Sequence, residues 1–250
     1  MDRRPAWWNL LGLRRLRAQV RGFDLVYDLQ TSDRSNQYFR LAGRPAWSGI
    51  AAGCSLPHDN LLRDYMHTLE RQREQLEMAG IAAFPEPDLG WLSGAAPDLP
   101  HPYALLVPGA APHRPRKRWP HFPGLALLLV ARGLTPVVVG GRADAALGAA
   151  IVAACPRAID LTGKTTIEEL LPLAARATLA IGNDTGPMHI AAAAGCPSVV
   201  LFSGDSDPTL TAPRMRDGGW PTLLREADLA DLTVERVAEA LPQRHTTRPA

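Results

Sequence analysis

The stretch TLAIGNDTGPMHIAAAAGCPSVVLFS, residues 178–203, decides the fold of this chain. The apolar runs 178–183 and 198–203 have the length of buried strands, and residues 187–194 between them have the composition of a helix. Buried strands that do not alternate and that are separated by helices form a parallel sheet covered on both faces. The stretch therefore predicts an α/β fold.

The same alternation continues on both sides of this stretch. Further strands are predicted over 103–109 and 136–141, and further helices over 119–132, 144–154, 166–177 and 233–241. The helix at 166–177 opens with a capping box, Thr166-x-x-Glu169. The second half of the chain is therefore predicted to be a doubly wound α/β domain.

The first half is predicted to be part of a second α/β domain that begins with a helix. Apolar residues at helical spacing over 7–22 are followed by a strand at 23–30, a polar loop at 31–36 and a helix at 65–80. The proline-rich segment 84–102 has no periodicity and is predicted to be an interdomain linker.

The first helix is basic and amphipathic. It carries Trp7 and Trp8, and arginines are frequent in the first two dozen residues, at Arg3, Arg4, Arg14, Arg15, Arg17 and Arg21. Such a helix could make peripheral contact with an anionic inner membrane, or it could simply cover a sheet. Both interpretations stay open at this point.

Composition narrows the class of protein. The chain has 250 residues and 46% hydrophobic residues, which is typical of a soluble globular protein. Its net charge of +2 is too small to indicate a nucleic-acid partner, and none is predicted. Its three cysteines are far apart and odd in number, which favours a reducing compartment over a disulfide framework or a metal site. Because there is neither a run long enough to span a membrane nor a signal peptide, we predict a cytoplasmic protein.

The junction between the first strand and the helix of the opening stretch is a candidate anion site. Asp184 or Thr185 can cap the helix, Gly186 lets a ligand approach the backbone, and His189 lies within the first turn. The amides and the positive dipole end of a helix N-terminus favour phosphate. A capped helix without a ligand would explain the Asp and the Gly, but not why Thr and His accompany them.

A second candidate anion site follows the strand at 103–109. The strand ends near Gly109, and the next loop carries four cations, Arg114, Arg116, Lys117 and Arg118. Arginine offers phosphate a fork of donors, and lysine offers a point charge. A run of cations is usually only solvated, but two anion sites at strand ends of one sheet support each other.

Three other motifs suggest functions that their sequence context does not support. The triplet DTG at 184–186 leads into a helix, whereas aspartic proteases need paired carboxylates in a β-rich fold. The GKT at 163–165 has Ala158 where a phosphate-binding loop needs its first glycine. The segment VVVGGRADA lacks G-x-G-x-x-G, which disfavours a nucleotide-dependent oxidoreductase.

Four segments resemble glycosyltransferase family 9, the bacterial lipopolysaccharide heptosyltransferases: FDLVYDLQTSDRS (23–35), LVPGAAPHRPRKRWP (106–120), DLTGKTTIEEL (160–170) and GNDTGPMHIAAAAGCPSVVLFSGDSDP (182–208). The D-T-G-x-x-H-x-A-A-A-x-G-x-P block is the specific one. The resemblance implies the GT-B fold, in which two Rossmann-like domains have parallel sheets. The domains would be an incomplete N-terminal acceptor-side domain at 1–95 and a donor-binding domain at 96–232, with a closing helix and tail at 233–250.

The resemblance also implies an activity and a site. Such enzymes transfer heptose from a nucleotide-sugar donor, typically ADP-heptose, to a lipopolysaccharide or other cell-envelope glycan acceptor, with inversion and without a metal or cofactor. Lys117 would neutralise the donor phosphates, and Asp144 stands where the family tends to have Glu. The implied donor-binding residues are Gly109, Lys117, Asp144, Leu161, Gly163, Lys164, Asp184, Thr185, Gly186 and His189, with Asp33 and Arg34 on the acceptor side.

No general base is predicted. Family members open with a strand and a loop whose Asp is the proposed base, and this chain has no counterpart of that position. Asp24 and Asp28 are expected on a strand and its solvated edge, and Asp33 in a loop that could contact the acceptor. Two interpretations stay open, an active transferase whose true start lies upstream and a catalytically impaired nucleotide-sugar-binding remnant.

Overall fold

The computed structural model describes residues 10–85, 87–92, 94–111 and 113–242. Contacts divide the chain into two units, Met1–Pro87 and Asp88–Ala250. The division falls within the proline-rich segment 84–102. Trp7 and Trp8 of the predicted basic helix lie outside the described residues, as does the predicted tail after residue 242.

The described residues of the first unit form three short strands and three α-helices. In chain order these are α1 (Leu10–Val20), β1 (Val26–Tyr27), α2 (Asp33–Leu41), β2 (Trp47–Gly49), β3 (Leu56–Pro57) and α3 (Thr68–Met78), with a 3-10 turn at Arg63–Tyr65. The strands form a parallel sheet in the order β1-β2-β3. Its core is small, because only Phe39, Trp47 and Ala51 form a buried apolar cluster among the described residues.

The prediction of a polar loop over 31–36 is wrong, because α2 begins at Asp33. Ser32 is the N-cap, and it forms a capping box with Ser35 in which each side chain accepts a hydrogen bond from the other residue's backbone N–H. Asp33 and Arg34 therefore lie in the first helical turn, where both are exposed. Asp33 does not lie in a loop as expected.

The strand predicted over 23–30 is much shorter in the structure. Only Val26 and Tyr27 pair with β2. Asp28, expected at a solvated edge, is 7% exposed, and its Oδ1 accepts a hydrogen bond from the Thr31 N–H at 3.1 Å. That expectation was wrong because Gln75 from the helix at Thr68–Met78 contacts this point, where its Nε2 donates to the Asp28 carbonyl at 3.1 Å.

The second unit alternates strands and helices along its whole length. Its elements are β4 (Tyr103–Val107), α4 (Phe122–Ala131), β5 (Thr135–Val138), α5 (Ala145–Ala154), β6 (Ile159–Asp160), α6 (Ile167–Arg176), β7 (Leu179–Asn183), α7 (Gly186–Ala193), β8 (Ser198–Phe202), α8 (Pro208–Thr211), β9 (Thr222–Arg225) and α9 (Val234–Glu239). The predicted strands and helices of this half are confirmed, with ends that shift by a few residues. The predicted capping box is confirmed, since Thr166 and Glu169 bond each other's backbone N–H groups.

The six strands of this unit form one parallel sheet in the order β6-β5-β4-β7-β8-β9. This is the 3-2-1-4-5-6 order of a Rossmann fold. Neighbouring residues of each strand point to opposite apolar layers. Leu106 packs in the layer of α4, α5 and α9, whereas Leu105 and Val107 pack in the layer of α6 and α7. The sheet is thus doubly wound, as predicted.

None of the helices in the described part of the chain is both long and apolar enough to cross a membrane.

Candidate functional site

The carboxyl ends of β4 and β7 lie side by side at the centre of the six-stranded sheet. The strand order reverses there, since the chain passes from β4 to β5 on one side and from β7 to β8 on the other. The helices that follow the two strands, α4 and α7, pack on opposite faces. Open α/β sheets bind ligands at such a reversal, outside the carboxyl ends of the strands.

The connection from β7 to α7 leaves the amino end of the helix open. Thr185 is the N-cap residue, with φ −152° and ψ 164°, but among the described residues its side chain makes no capping bond. Its hydroxyl donates instead to the Asn183 carbonyl at 3.2 Å. A Cβ atom added to Gly186 would meet no described atom within 4 Å. Among the described residues, the amino end of α7 therefore has no side-chain cap and has room beside Gly186.

Lys117 reaches this corner from the loop after β4. Its Nζ donates to Asp184 Oδ2 at 2.7 Å, and the two side chains are 12% and 9% exposed. Poor access to water strengthens the attraction between these charges, although both lose hydration. Asp184 is therefore the ionic partner of Lys117, and Thr185 rather than Asp184 occupies the N-cap position.

The three arginines of the same loop lie elsewhere. Arg118 donates from Nη2 to the Ala110 carbonyl at 3.1 Å, and Arg114 and Arg116 are exposed. Lys117 is thus the cation of this loop that pairs at the strand ends.

Asn183 is a residue of this corner that the sequence analysis missed. It is the last residue of β7 and is fully buried. Its Nδ2 donates to the carbonyls of Pro108 and Gly109, at 2.8 and 3.3 Å, and its Oδ1 accepts from the Trp119 N–H at 3.1 Å. A polar side chain at the end of an apolar strand, directly before Asp184, was the available signal.

The Asp144 carboxylate lies against the loop that follows β4. Its Oδ2 accepts a hydrogen bond from the Gly141 N–H at 3.0 Å. A Cβ atom added to Gly109 would lie 2.6 Å from the same oxygen. Gly109 therefore lacks a side chain where Asp144 takes the space, and the structure brings these two predicted residues together at the ends of β4 and β5.

The loop after β6 packs on the loop after β5. Leu161 donates its backbone N–H to Val138 O, and Gly163, at φ +69°, donates to Gly140 O at 2.8 Å. Lys164 is exposed, and its ammonium donates to the Asp160 carbonyl at 2.7 Å. Leu161 and Gly163 are thus held beside the Asp144 loop, whereas the Lys164 charge is bound to its own loop.

Three predicted residues remain to be placed, His189, Asp33 and Arg34. His189 is exposed on the first turn of α7. Asp33 and Arg34 belong to the first unit, where Arg34 lines a cavity of about 280 Å³ together with Asp28. In the described ranges, no group of three or more His, Cys, Asp or Glu side chains is placed to hold a metal ion.

The second unit is thus a Rossmann-type α/β domain, of the kind found in glycosyltransferases of the GT-B fold, with a lysine–aspartate pair at its strand reversal. The family model for glycosyltransferase family 9 (heptosyltransferase) matches residues 13–218. The chain belongs to this family.

Curated relatives of this chain are named heptosyltransferases. Lipooligosaccharide heptosyltransferase 2 of Haemophilus influenzae is 37% identical over 119 residues, which are 45% of this chain and 34% of that protein. Lipopolysaccharide heptosyltransferase 2 of Escherichia coli K12 is 32% identical over 156 residues, or 57% of this chain and 44% of that protein. The chain thus matches less than half the length of these relatives.

Two solved structures share the fold. The ADP-heptose lipopolysaccharide heptosyltransferase II of E. coli aligns with a TM-score of 0.68 and 24% identity, over 92% of this chain and 78% of that one. A family 9 glycosyltransferase of Veillonella parvula aligns with a TM-score of 0.65 and 20% identity, over 98% and 75%. At these identities the likeness establishes the fold alone.

Proposed function

We propose that this chain transfers heptose from ADP-heptose to a lipopolysaccharide or related cell-envelope glycan, with inversion and without a metal ion. Family membership supports the sugar transfer. The choice of ADP-heptose follows the name of the E. coli structural relative. The second unit would bind the donor, and the first unit would bind the acceptor near Asp33 and Arg34.

The observation that carries this proposal is the Lys117–Asp184 pair beside the open amino end of α7. Glycosyl transfer releases a nucleoside diphosphate, so stabilising the charge that develops on it is a large part of catalysis. Lys117 would contact the phosphates as a point charge, and the amides near Gly186 would add hydrogen-bond donors. Asp184 would accept a hydrogen bond from a hydroxyl of the donor sugar. His189 would lie beside the diphosphate.

The nucleoside would lie over the loops that follow β5 and β6. Asp144 has a carboxylate at the end of the second strand of the sheet, where Rossmann domains bind ribose hydroxyls. Leu161 and Gly163 are held beside it by backbone hydrogen bonds and would contact the base. Lys164 would join them only if its ammonium leaves the Asp160 carbonyl.

Contact with the cytoplasmic face of the inner membrane is a further part of the proposal. In α1, Leu10 and Leu11 are 69% and 71% exposed, and Arg14 and Arg15 are exposed beside them. Exposed apolar residues next to cations fit a bilayer of anionic lipids. This position would bring the enzyme close to a lipid-linked acceptor.

Calorimetric titration with ADP tests the donor site, with UDP, GDP and NAD as comparisons. We expect selective ADP binding, and we expect Lys117→Ala to weaken it about tenfold or more, since a charge-assisted contact to phosphate is lost. Arg116→Ala is the matched control, because it removes an exposed cation from the same loop and should leave the affinity within about twofold.

Two results of this titration would contradict the proposal. The first is a folded chain that binds no nucleotide, and the second is tight NAD binding, which would favour an oxidoreductase. A chain that binds ADP is then incubated with ADP-heptose and the acceptor glycolipid, and the product is detected by mass spectrometry. The remnant interpretation would require ADP binding without any product.

A further inference from the structure

The loop that carries Lys117 is anchored at both ends by one side chain. The loop covers residues 108–121, between β4 and α4. Asn183 bonds its start through the Pro108 and Gly109 carbonyls and its later part through the Trp119 N–H. These two points lie ten residues apart in sequence and are joined through a single carboxamide in the buried end of β7.

A carboxamide fits this task, whereas a carboxylate does not. The side chain must donate to carbonyls and accept from an N–H within one buried space, and a carboxylate of the same size would face two carbonyl oxygens. Removing the amide would leave the Pro108 carbonyl and the Trp119 N–H without this partner in the protein interior, which is costly. The three bonds therefore hold the loop in one position rather than in a range of positions.

Lys117 is connected rigidly to this anchor. It ends a 3-10 turn, Pro115–Lys117, in which the Lys117 N–H donates to Arg114 O and the Arg118 N–H donates to Pro115 O. Trp119, the anchored residue, follows two positions later. Asp184, the partner of the Lys117 ammonium, follows Asn183 directly. The end of β7 thus fixes the backbone near Lys117 and the position of its charge together.

We propose that Asn183 is the positioning residue for Lys117 in diphosphate binding. The inference rests on the proposed function for its catalytic meaning, but its structural core can be tested without a ligand. Asn183 touches no part of the donor in this view. It acts by setting where the ammonium of Lys117 lies, and a displacement of a contact group by about 1 Å is enough to lose most of its effect.

Lysine labelling tests the positioning directly. Lys117 and Lys164 are the only two lysines of the sequence, and Lys164 is exposed, so it serves as an internal reference. A limiting amount of an acetylating N-hydroxysuccinimide ester is applied, and the two sites are quantified by mass spectrometry. We expect the ratio of Lys117 to Lys164 acetylation to rise about tenfold in Asn183→Ala, because the ammonium leaves Asp184.

Tyr103→Phe is the matched control. It also removes a buried side-chain hydrogen bond to a carbonyl, from Tyr103 Oη to Leu173 O at 2.6 Å, but at the opposite end of β4. Its labelling ratio should equal that of the unaltered chain. If Asn183→Ala does not fold, Asn183→Ser is used in the same measurements, because its hydroxyl can still accept from the Trp119 N–H.

A double-mutant cycle on ADP affinity tests the consequence for binding. We expect Asn183→Ala to weaken ADP binding about tenfold, and to add less than about twofold when Lys117 is already alanine. Multiplicative effects, or an unchanged labelling ratio in folded Asn183→Ala, would overturn the positioning role. If the unaltered chain binds no ADP, the proposed function fails, and the labelling ratio alone decides whether Asn183 positions Lys117.

Discussion

At the scale of single residues, the Asp144 carboxylate occupies the space that a side chain at position 109 would need. We expect Gly109→Ala to push the Asp144 carboxylate off the Gly141 N–H, because the new Cβ would lie 2.6 Å from its Oδ2. The cost should be about 1 kcal/mol in the free energy of unfolding in urea, the net value of one hydrogen bond.

The double variant Gly109→Ala with Asp144→Ala checks this cause. If the clash with the carboxylate produces the loss, the second substitution relieves it, and the double variant is no less stable than Asp144→Ala alone. Additive losses would instead place the effect of Gly109→Ala in the backbone.

Residue types at strand ends could be predicted, but their partners could not. Asp184 and Lys117 follow buried strands, so both were expected at the carboxyl edge of the sheet. Their direct pairing depends on the path of residues 108–121, and no local pattern encodes that path. The anchor for this path is Asn183, and its polar side chain at the end of an apolar strand does not indicate which loop it bonds.

At the scale of secondary-structure elements, prediction succeeded where the elements are long. The helices α4, α5 and α6 have ten residues each, and their apolar patterns are sufficient. β1, β3 and β6 pair over two residues each, which is too short to show any periodicity. The α2 start was missed because its capping box has Ser35 in place of the usual Glu or Gln.

The contact between α3 and the end of β3 gives the first unit a pH-dependent stability. Glu74 on α3 accepts hydrogen bonds from buried His58 at 2.7 Å and from Asn60 at 2.9 Å. The His58 bond first, and then the Asn60 bond, lower the pKa of Glu74 below its ordinary value of 4.5. A lowered folded-state pKa stabilises the fold above the unfolded-state pKa, and this stabilisation is lost as the pH falls through the folded-state value.

We therefore expect Glu74→Gln to lower the unfolding free energy in urea by about 1 kcal/mol at pH 7, because a charge-assisted bond becomes a neutral one. The difference from the unaltered chain should shrink as the pH falls below 4.5. Glu77→Gln is the control on the same helix, since its exposed pair with Arg73 should contribute little at any pH. A Glu74→Gln deficit that is independent of pH would contradict this account.

At the scale of the whole molecule, the two halves differ in how far the sequence explains them. The second unit has a continuous βα alternation, so its doubly wound sheet follows from the pattern and from the handedness of parallel crossovers. The first unit has a sheet of three short strands, with a direct loop from β2 to β3, and this departs from the regular alternation. Its α/β class was predictable, whereas its strand positions were not.

At this scale we also test the proposed membrane contact through α1, by sedimentation of the chain with lipid vesicles. We expect the chain to bind vesicles that contain phosphatidylglycerol better than vesicles of phosphatidylcholine, and less well in high salt. Arg14→Ala with Arg15→Ala should weaken binding by about 1 kcal/mol for each charge removed. Arg114→Ala with Arg116→Ala removes two exposed charges from the second unit and should have a smaller effect. Equal losses in both double variants would mean that α1 is not the contact surface.

The Lys117–Asp184 pair also affects how strongly the proposed site attracts small anions from solution. Within the pair, the carboxylate balances the charge of the ammonium, so Lys117 is not an unpaired cation at this edge of the sheet. A charge-balanced pair should attract orthophosphate or chloride from the surrounding solution less strongly than a lone ammonium would. In the proposed function, a ligand that brings a nucleoside as well as a diphosphate would offer further contacts at the loops after β5 and β6 and so compete with Asp184 for Lys117. The pairing would lower the affinity of the site for free phosphate, and it would make donor binding less sensitive to competing anions.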